Sequence, residues 1–179
     1  MKARISNIHW QWLSLAVILL DQITKQLVVI HMDVYDSIYL LPILNLTYLR
    51  NTGAAFSMLS DAPPLFFITL GVVVSIGVLW WLRKNPYEQK MVAIALVLVQ
   101  GGAIGNVIDR ALPSRGYVID FIDFHIGHCT YCHWPAFNVA DTAIVIGAGL
   151  LLLDAFRRPA ADNPPGKGRA QSKGRGRKA

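Results

Sequence analysis

The chain has 179 residues, of which 54% are hydrophobic and only 16% are charged. Soluble domains carry about 25% charged residues, so this composition excludes an ordinary soluble globular protein and indicates a chain surrounded mostly by lipid. The formal net charge is +6, but eight of the 17 Lys and Arg residues follow Phe156. The positive charge therefore belongs to a C-terminal tail, and we assign it to anionic lipid headgroups rather than to nucleic acid.

The first predicted element is a membrane-spanning helix over residues 12–30, which contains Asp21 and Lys25. A spanning helix needs about 20 mostly apolar residues. The two charged residues stand four apart and share one helical face, where they can neutralise each other. Because no small-x-small motif follows the apolar core, we expect a retained span rather than a cleaved signal peptide.

The segment after the first span has a different pattern. Residues 38–41 and 44–49 are short apolar runs with Thr and Tyr, which favour strands. Three further spans are predicted over residues 65–82, 91–108 and 137–156. The expected fold class is therefore an all-α integral membrane protein with four transmembrane helices, a small extracytoplasmic β-rich segment and an extracytoplasmic loop.

The basic residues predict the orientation of the spans. The N-terminus, the link after residue 82 and the C-terminal tail are all basic, whereas residues 31–64 contain only Arg50 as a basic residue. Basic short loops remain in the cytoplasm, so both termini are expected there. Residues 1–158 are expected to form one membrane domain, and residues 159–179, rich in Pro, Gly, Lys and Arg, a disordered cytoplasmic tail.

Two aspartates are candidates for hydrolytic chemistry: Asp120 in the second outer segment and Asp141 at the outer start of the fourth span. Two carboxylates that share a site cannot both ionise easily. The ionised one can take a proton from water while the protonated one donates to a carbonyl oxygen, which hydrolyses an amide without a metal. Their spacing of 21 residues does not by itself bring them together.

Each of these residues also has a structural interpretation. Asn138 and Asp141 stand three apart at a helix start, which is the spacing of a capping box. Taken alone, the pattern around Asp120 favours a solvated loop acid over a catalytic one, with Asp123 three residues away as a rival candidate. The glycines around Gly102 favour close helix packing.

A transporter or proton-relay protein is the alternative function. Intramembrane ionisable residues such as Asp21, Lys25 and Asp141 are typical of proton pathways. Against this alternative, these ionisable residues fall in the outer half of the membrane, and the sequence contains no inverted repeat.

Five motifs follow one another along residues 12–156: Asp21-Gln-Ile-Thr-Lys25, Asn51-Thr-Gly-Ala-Ala-Phe56, Gly101-Gly-Ala-Ile-Gly-Asn-Val-Ile-Asp-Arg110, Val118-Ile-Asp-Phe121 and Phe137-Asn-Val-Ala-Asp141. In their order and spacing they resemble the motifs of the signal peptidase II family. One such motif is weak evidence, whereas five in sequence are specific.

The resemblance implies a membrane aspartic endopeptidase that removes signal peptides from diacylglyceryl-modified prolipoproteins, cleaving before the lipidated cysteine without a cofactor or metal. It implies Asp120 and Asp141 as the catalytic pair. It further implies a set of substrate-binding or site-supporting positions: Asn51, Gly102, Asn106, Arg110, Asn138, Ala140, Asp21 and Lys25. The expected location is the bacterial cytoplasmic (inner) membrane, with the active site near its outer face, and the expected partners are the prolipoprotein substrates and membrane lipids.

Cys129-Thr-Tyr-Cys132-His133 lies outside the family pattern. The sequence C-x-x-C-H is that of c-type haem attachment. With His125 and His128 nearby, the segment also contains enough Cys and His residues to supply the ligands of a metal site. A local disulfide or two free thiols is the third interpretation. We favour this third one, because a segment of about 28 residues cannot bury a haem.

Overall fold

The structure is a computed structural model, and it describes residues 7–53, 61–84, 89–113, 115–126 and 133–157. Within these ranges, four helices are long and apolar enough to cross a membrane. They are α1 (Gln11–His31), α2 (Pro64–Lys84), α3 (Lys90–Ala111) and α4 (Val139–Arg157). All four spans expected from the sequence are thereby confirmed, and each boundary agrees within one helical turn.

Helix α3 packs against each of the other three helices and forms the centre of the bundle. Small residues allow this packing: a Cβ atom on Gly101 would lie 2.9 Å from the carbonyl oxygen of Ser14 in α1, and one on Gly147 of α4 would lie 2.6 Å from that of Ala95. The outward faces remain apolar, as at Val145, which is 70% exposed. An exposed apolar helix surface of this kind fits contact with lipid rather than water.

A three-stranded antiparallel sheet lies at one end of the bundle, with strand order β1-β2-β3. Strands β1 (Ser37–Leu41) and β2 (Leu44–Asn51) confirm the predicted β-rich segment. Strand β3 (Val118–Phe124) was not predicted, because the second outer segment was interpreted as a loop. Its two acidic residues, Asp120 and Asp123, interrupt the apolar run that would have indicated a strand.

An apolar cluster fixes this sheet to the end of α1. Its buried members are Val28, Met32, Tyr48, Ile119 and Phe121. Ile119 and Phe121 flank Asp120 on β3, and side chains alternate between the faces of a strand. The cluster therefore orients β3 so that Asp120 lies on the opposite face, where Asn138 at the start of α4 contacts it.

A short backbone pairing joins β3 to the start of α4. Ile122 N donates to Phe137 O at 2.8 Å, and Phe137 N donates to Ile122 O at 3.0 Å. Asp120 lies two residues before one partner, and Asp141 lies four residues after the other. The pairing thus closes the 21-residue separation that the sequence alone left open.

Several sequence predictions fall on residues beyond the description. The tail after residue 158 and both cysteines, Cys129 and Cys132, lie outside the described residues. His133 is described, and its Nδ1 lies 2.8 Å from a carboxylate oxygen of Asp123. Among the described residues, no group of three or more His, Cys, Asp or Glu is arranged to hold a metal ion.

Candidate active site

Asp120 is 3% exposed, and each of its carboxylate oxygens accepts a hydrogen bond from an asparagine. Asn51 Nδ2 donates to Oδ2 at 2.8 Å. Asn138 Nδ2 donates to Oδ1 at 2.7 Å. Asn51 comes from the end of β2 and Asn138 from the residue before α4, so the carboxylate is held between two elements.

The pKa of Asp120 rises from its ordinary value of 3.8 to about 6. Removal from water is the largest cause, because burial disfavours the charged form. The negative charge of Asp141 is the second cause, and the hydrogen bonds from Asn51 and Asn138 oppose both. Asp120 and Asp141 therefore interact electrostatically, as two carboxylates in one site must.

Asp141 lies in the first turn of α4 and forms a capping box with Asn138. Asp141 N donates to Asn138 Oδ1 at 2.9 Å, and Asn138 N donates to Asp141 Oδ2 at 3.3 Å. The structural interpretation of this pair is thus confirmed. It does not compete with a catalytic role, because Asp141 Oδ1 faces α3 and accepts from Asn106 Nδ2 at 2.8 Å.

Three asparagine side chains surround the two acids, and a second contact fixes the orientation of each amide. Asn51 Oδ1 accepts from the backbone N–H of Gly53 at 2.9 Å, and Asn106 Oδ1 accepts from Lys25 Nζ at 2.9 Å. Asn138 Oδ1 accepts from Asp141 N, as described above. Because an amide oxygen only accepts, each NH₂ group is turned toward a carboxylate. The site thereby presents preoriented donors to the negative charge.

Lys25 is fully buried and lies at the centre of a charged network beneath the acids. Its Nζ lies 2.8 Å from Asp21 Oδ2 and 2.8 Å from Asp109 Oδ2. Asp21 Oδ1 in turn accepts the backbone N–H of Ala140 at 2.9 Å. The expected pairing of Asp21 with Lys25 is confirmed, and it also supports the first turn of α4.

Gly102 and Gly105 make room for this arrangement on α3. A Cβ atom on Gly102 would collide with the carbonyl oxygen of Ala140, and one on Gly105 would lie 2.6 Å from Asp21 Oδ2. The expectation that these glycines permit close packing is confirmed. Gly102 supports the site through its lack of a side chain.

Arg110 hydrogen-bonds the backbone near Asn51. Its Nη2 donates to the carbonyl oxygen of Gly53, and its guanidinium carbon lies 4.4 Å from the centre of the Phe67 ring. Gly53 is also the residue whose N–H orients Asn51. Arg110 therefore reaches Asp120 through Gly53 and Asn51.

Asp109 and Arg115 belong to this network but were not singled out as site residues from the sequence. Asp109 pairs with Lys25 and also accepts from Arg115 Nη1 at 2.9 Å. Asp109 stands three residues after Asn106, on a neighbouring part of the same face of α3. Asp123, the rival to Asp120, bonds Asn45 Nδ2 at 3.2 Å and pairs with His133 away from the site.

A multi-pass membrane protein with a buried carboxylate, Asp120, and a partly buried one, Asp141, joined through Asn138 at one end of its helix bundle is the class that the fold and site define. Residues 13–157 match the protein family described as "Signal peptidase (SPase) II". The chain belongs to the signal peptidase II family, which confirms the resemblance seen in the motifs.

Known proteins agree with this assignment. The lipoprotein signal peptidase of Alteromonas mediterranea is 46% identical over 157 residues, which are 86% of this chain and 84% of that protein. The lipoprotein signal peptidase of Haemophilus ducreyi is 52% identical over 159 residues, 86% of this chain and 94% of that protein. A bacterial membrane enzyme solved by the in meso method at 2.3 Å is 33% identical with a TM-score of 0.72, over 84% of this chain and 87% of that one.

Proposed function

We propose that this protein is a membrane aspartic endopeptidase that removes signal peptides from diacylglyceryl-modified prolipoproteins, cleaving before the lipidated cysteine with Asp120 and Asp141. The observation that carries the aspartic mechanism is the double contact of Asn138. Its Nδ2 donates to Asp120 Oδ1 at 2.7 Å, and its backbone N–H donates to Asp141 Oδ2 at 3.3 Å. Its side-chain Oδ1 also accepts the backbone N–H of Asp141 at 2.9 Å. Membership in the signal peptidase II family supports the choice of substrate.

The two acids take complementary roles in the proposed reaction. Asp120, with a pKa raised to about 6, is the proton-holding member and donates to the oxygen of the scissile carbonyl. Asp141 removes a proton from the attacking water, whose oxygen forms the new bond to the carbonyl carbon. When the resulting tetrahedral intermediate collapses, the C–N bond breaks, Asp141 gives its proton to the leaving nitrogen and Asp120 recovers one from the intermediate.

The surrounding residues hold these acids in position. Asn51, Asn106 and Asn138 supply the oriented N–H donors, so little reorganisation accompanies the proton transfers. Lys25 supports Asn106, and Asp21 supports the Ala140 N–H at the start of α4. We assign these contacts to positioning rather than to direct proton transfer.

The site lies at the sheet end of the bundle, where β3 meets the starts and ends of the spans. Basic residues lie at the opposite ends of the helices: Arg83 and Lys84 in the last turn of α2, and Arg157 in the last turn of α4. They support an orientation with both termini in the cytoplasm. The site then lies near the outer face of the membrane. The lipid chains of the substrate remain in the bilayer while its peptide reaches the acids.

Asparagine substitutions of the two acids test the proposal. Cleavage of a purified diacylglyceryl prolipoprotein should fall by at least about 10²–10⁴-fold in D120N and in D141N, because each removes one proton-transfer group. D123N is the matched control: Asp123 lies on the same strand but contacts Asn45 and His133, so this variant should retain activity. Near-normal turnover by D120N or D141N would refute the aspartic mechanism.

A further inference from the structure

Four charged residues form a continuous chain beneath the site. Arg115 Nη1 lies 2.9 Å from Asp109 Oδ1, Asp109 Oδ2 lies 2.8 Å from Lys25 Nζ, and Lys25 Nζ lies 2.8 Å from Asp21 Oδ2. These ion pairs connect Arg115 in the link after α3 to Asp109 in α3, and Asp109 to Lys25 in α1. Two acids and two bases give the four residues a net charge of zero.

These four charged residues contact both supports of Asp141. Lys25 donates to Asn106, whose NH₂ group bonds the Asp141 carboxylate. Asp21 accepts the N–H of Ala140, the residue next to Asp141. A change in the net charge of these four residues therefore acts on Asp141 through short contacts in a region with little water.

Arg115 is the member that supplies the final charge. The side chains of Asp21, Lys25 and Asp109 are 0% exposed, whereas that of Arg115 is 15% exposed. A further contact from its Nη2 to Gln26 Oε1 at 3.2 Å holds it against α1. Without Arg115, the three buried members would carry a net charge of −1, and an unbalanced buried charge acts over a longer range than one in water.

We propose that Arg115 is a positioning residue whose guanidinium balances Asp109 and thereby sets the pH range in which the proposed pair of acids carries one proton. The proposal rests on the proposed function. The charged groups at the site are the two acids themselves and Arg110 of α3, together with the four charged residues beneath them: Asp21, Lys25, Asp109 and Arg115.

The expected effect has a sign that depends on the charge removed. R115Q leaves a net negative charge near the acids, which makes ionisation harder and moves the pH–rate profile to higher pH. D109N leaves a net positive charge and moves the profile to lower pH. The double variant D109N/R115Q removes one charge of each sign and should return the profile toward that of the wild type. One unit charge at roughly 15 Å and an effective dielectric of about 20 shifts an ionisation by about 0.8 pH units.

The experiment measures kcat/KM for a diacylglyceryl prolipoprotein between pH 4.5 and 9 for the full-length protein and these variants. R115K keeps the charge and should keep the profile in place. R83Q removes one positive charge at the opposite end of the bundle and is the matched control, with no expected shift. A purely structural role lowers activity at every pH and moves no profile.

Opposite shifts in the two single variants, with reversal in the double variant, would support the proposal. Shifts of the same sign, or unshifted profiles in R115Q and D109N, would overturn it. If R115Q fails to accumulate, D109N and the double variant give the same decision. These outcomes are separate from the proposed function, which fails only if D120N or D141N remains active.

Discussion

Removal of the Asp120 charge should stabilise the protein while it inactivates it. Asp120 is 3% exposed, and its pKa is about 6 in the folded protein against an ordinary value of 3.8. The folded state therefore binds a proton more tightly than the unfolded state, and stability falls as pH rises from about 4 to about 6. Above that range the full difference, about 3 kcal/mol, opposes folding.

D120N cannot ionise, so it escapes this cost. In the wild type, ionisation of Asp120 has already lowered the free energy of unfolding by about 1 kcal/mol at pH 4.5, and it lowers it by about 2 kcal/mol more between pH 4.5 and pH 8. The stability of D120N relative to the wild type should therefore rise by about 2 kcal/mol over that interval. The amide leaves only one oxygen to accept from Asn51 and Asn138, and that loss lowers stability equally at both pH values.

Thermal unfolding of both proteins in the same detergent, followed at pH 4.5 and pH 8, measures this difference. D61N replaces an exposed acid and is the matched control for the loss of one carboxylate. A stability difference between D120N and wild type that does not change with pH would refute the reasoning, as would a decrease toward pH 8. Either result would mean that burial does not penalise the Asp120 charge.

Two further predictions concern the supports of the site. G102A should destabilise the fold by about 1–3 kcal/mol and reduce cleavage, since its Cβ would collide with the Ala140 carbonyl, whereas G77A has open space and should be neutral by thermal unfolding. N51A should lower kcat about 10–100-fold, because Asn51 would no longer donate to the Asp120 carboxylate once that acid has given up its proton, and a hydrogen bond to a charged group is worth about 1.5–3 kcal/mol. N45A, on the same strand but bonded to Asp123, should retain turnover, and equal losses in N45A and N51A would contradict a specific role for Asn51.

Hydropathy was sufficient to predict the helices, because the composition of α2 and α3 is set by the lipid that surrounds them. It was insufficient for β3, whose Asp120 and Asp123 are buried for reasons that involve Asn138 and Asn45 from other elements. Local pattern carries no signal of such long-range partners. Strand β3 was therefore missed, although Asp120 on that strand was already a candidate catalytic residue.

The membership of the site was largely predicted by the motifs, but its geometry was not. The meeting of the two acids depends on the backbone pairing of Ile122 with Phe137, and backbone pairing leaves no imprint on the identity of either side chain. The extension of the Asp21–Lys25 pair to Asp109 depends in the same way on how closely α1 approaches α3. These features required coordinates.

The position of Asp141 in α4 has a consequence for the synthesis and membrane insertion of the protein. Chain order places Asp120 before α4, so Asp141 joins a nascent polypeptide 21 residues after Asp120. Asp141 also reaches its place only after its own turn has wound around Asn138. Within the proposed mechanism, the ability to cut peptides arises only once α4 has been synthesised and has entered the bilayer.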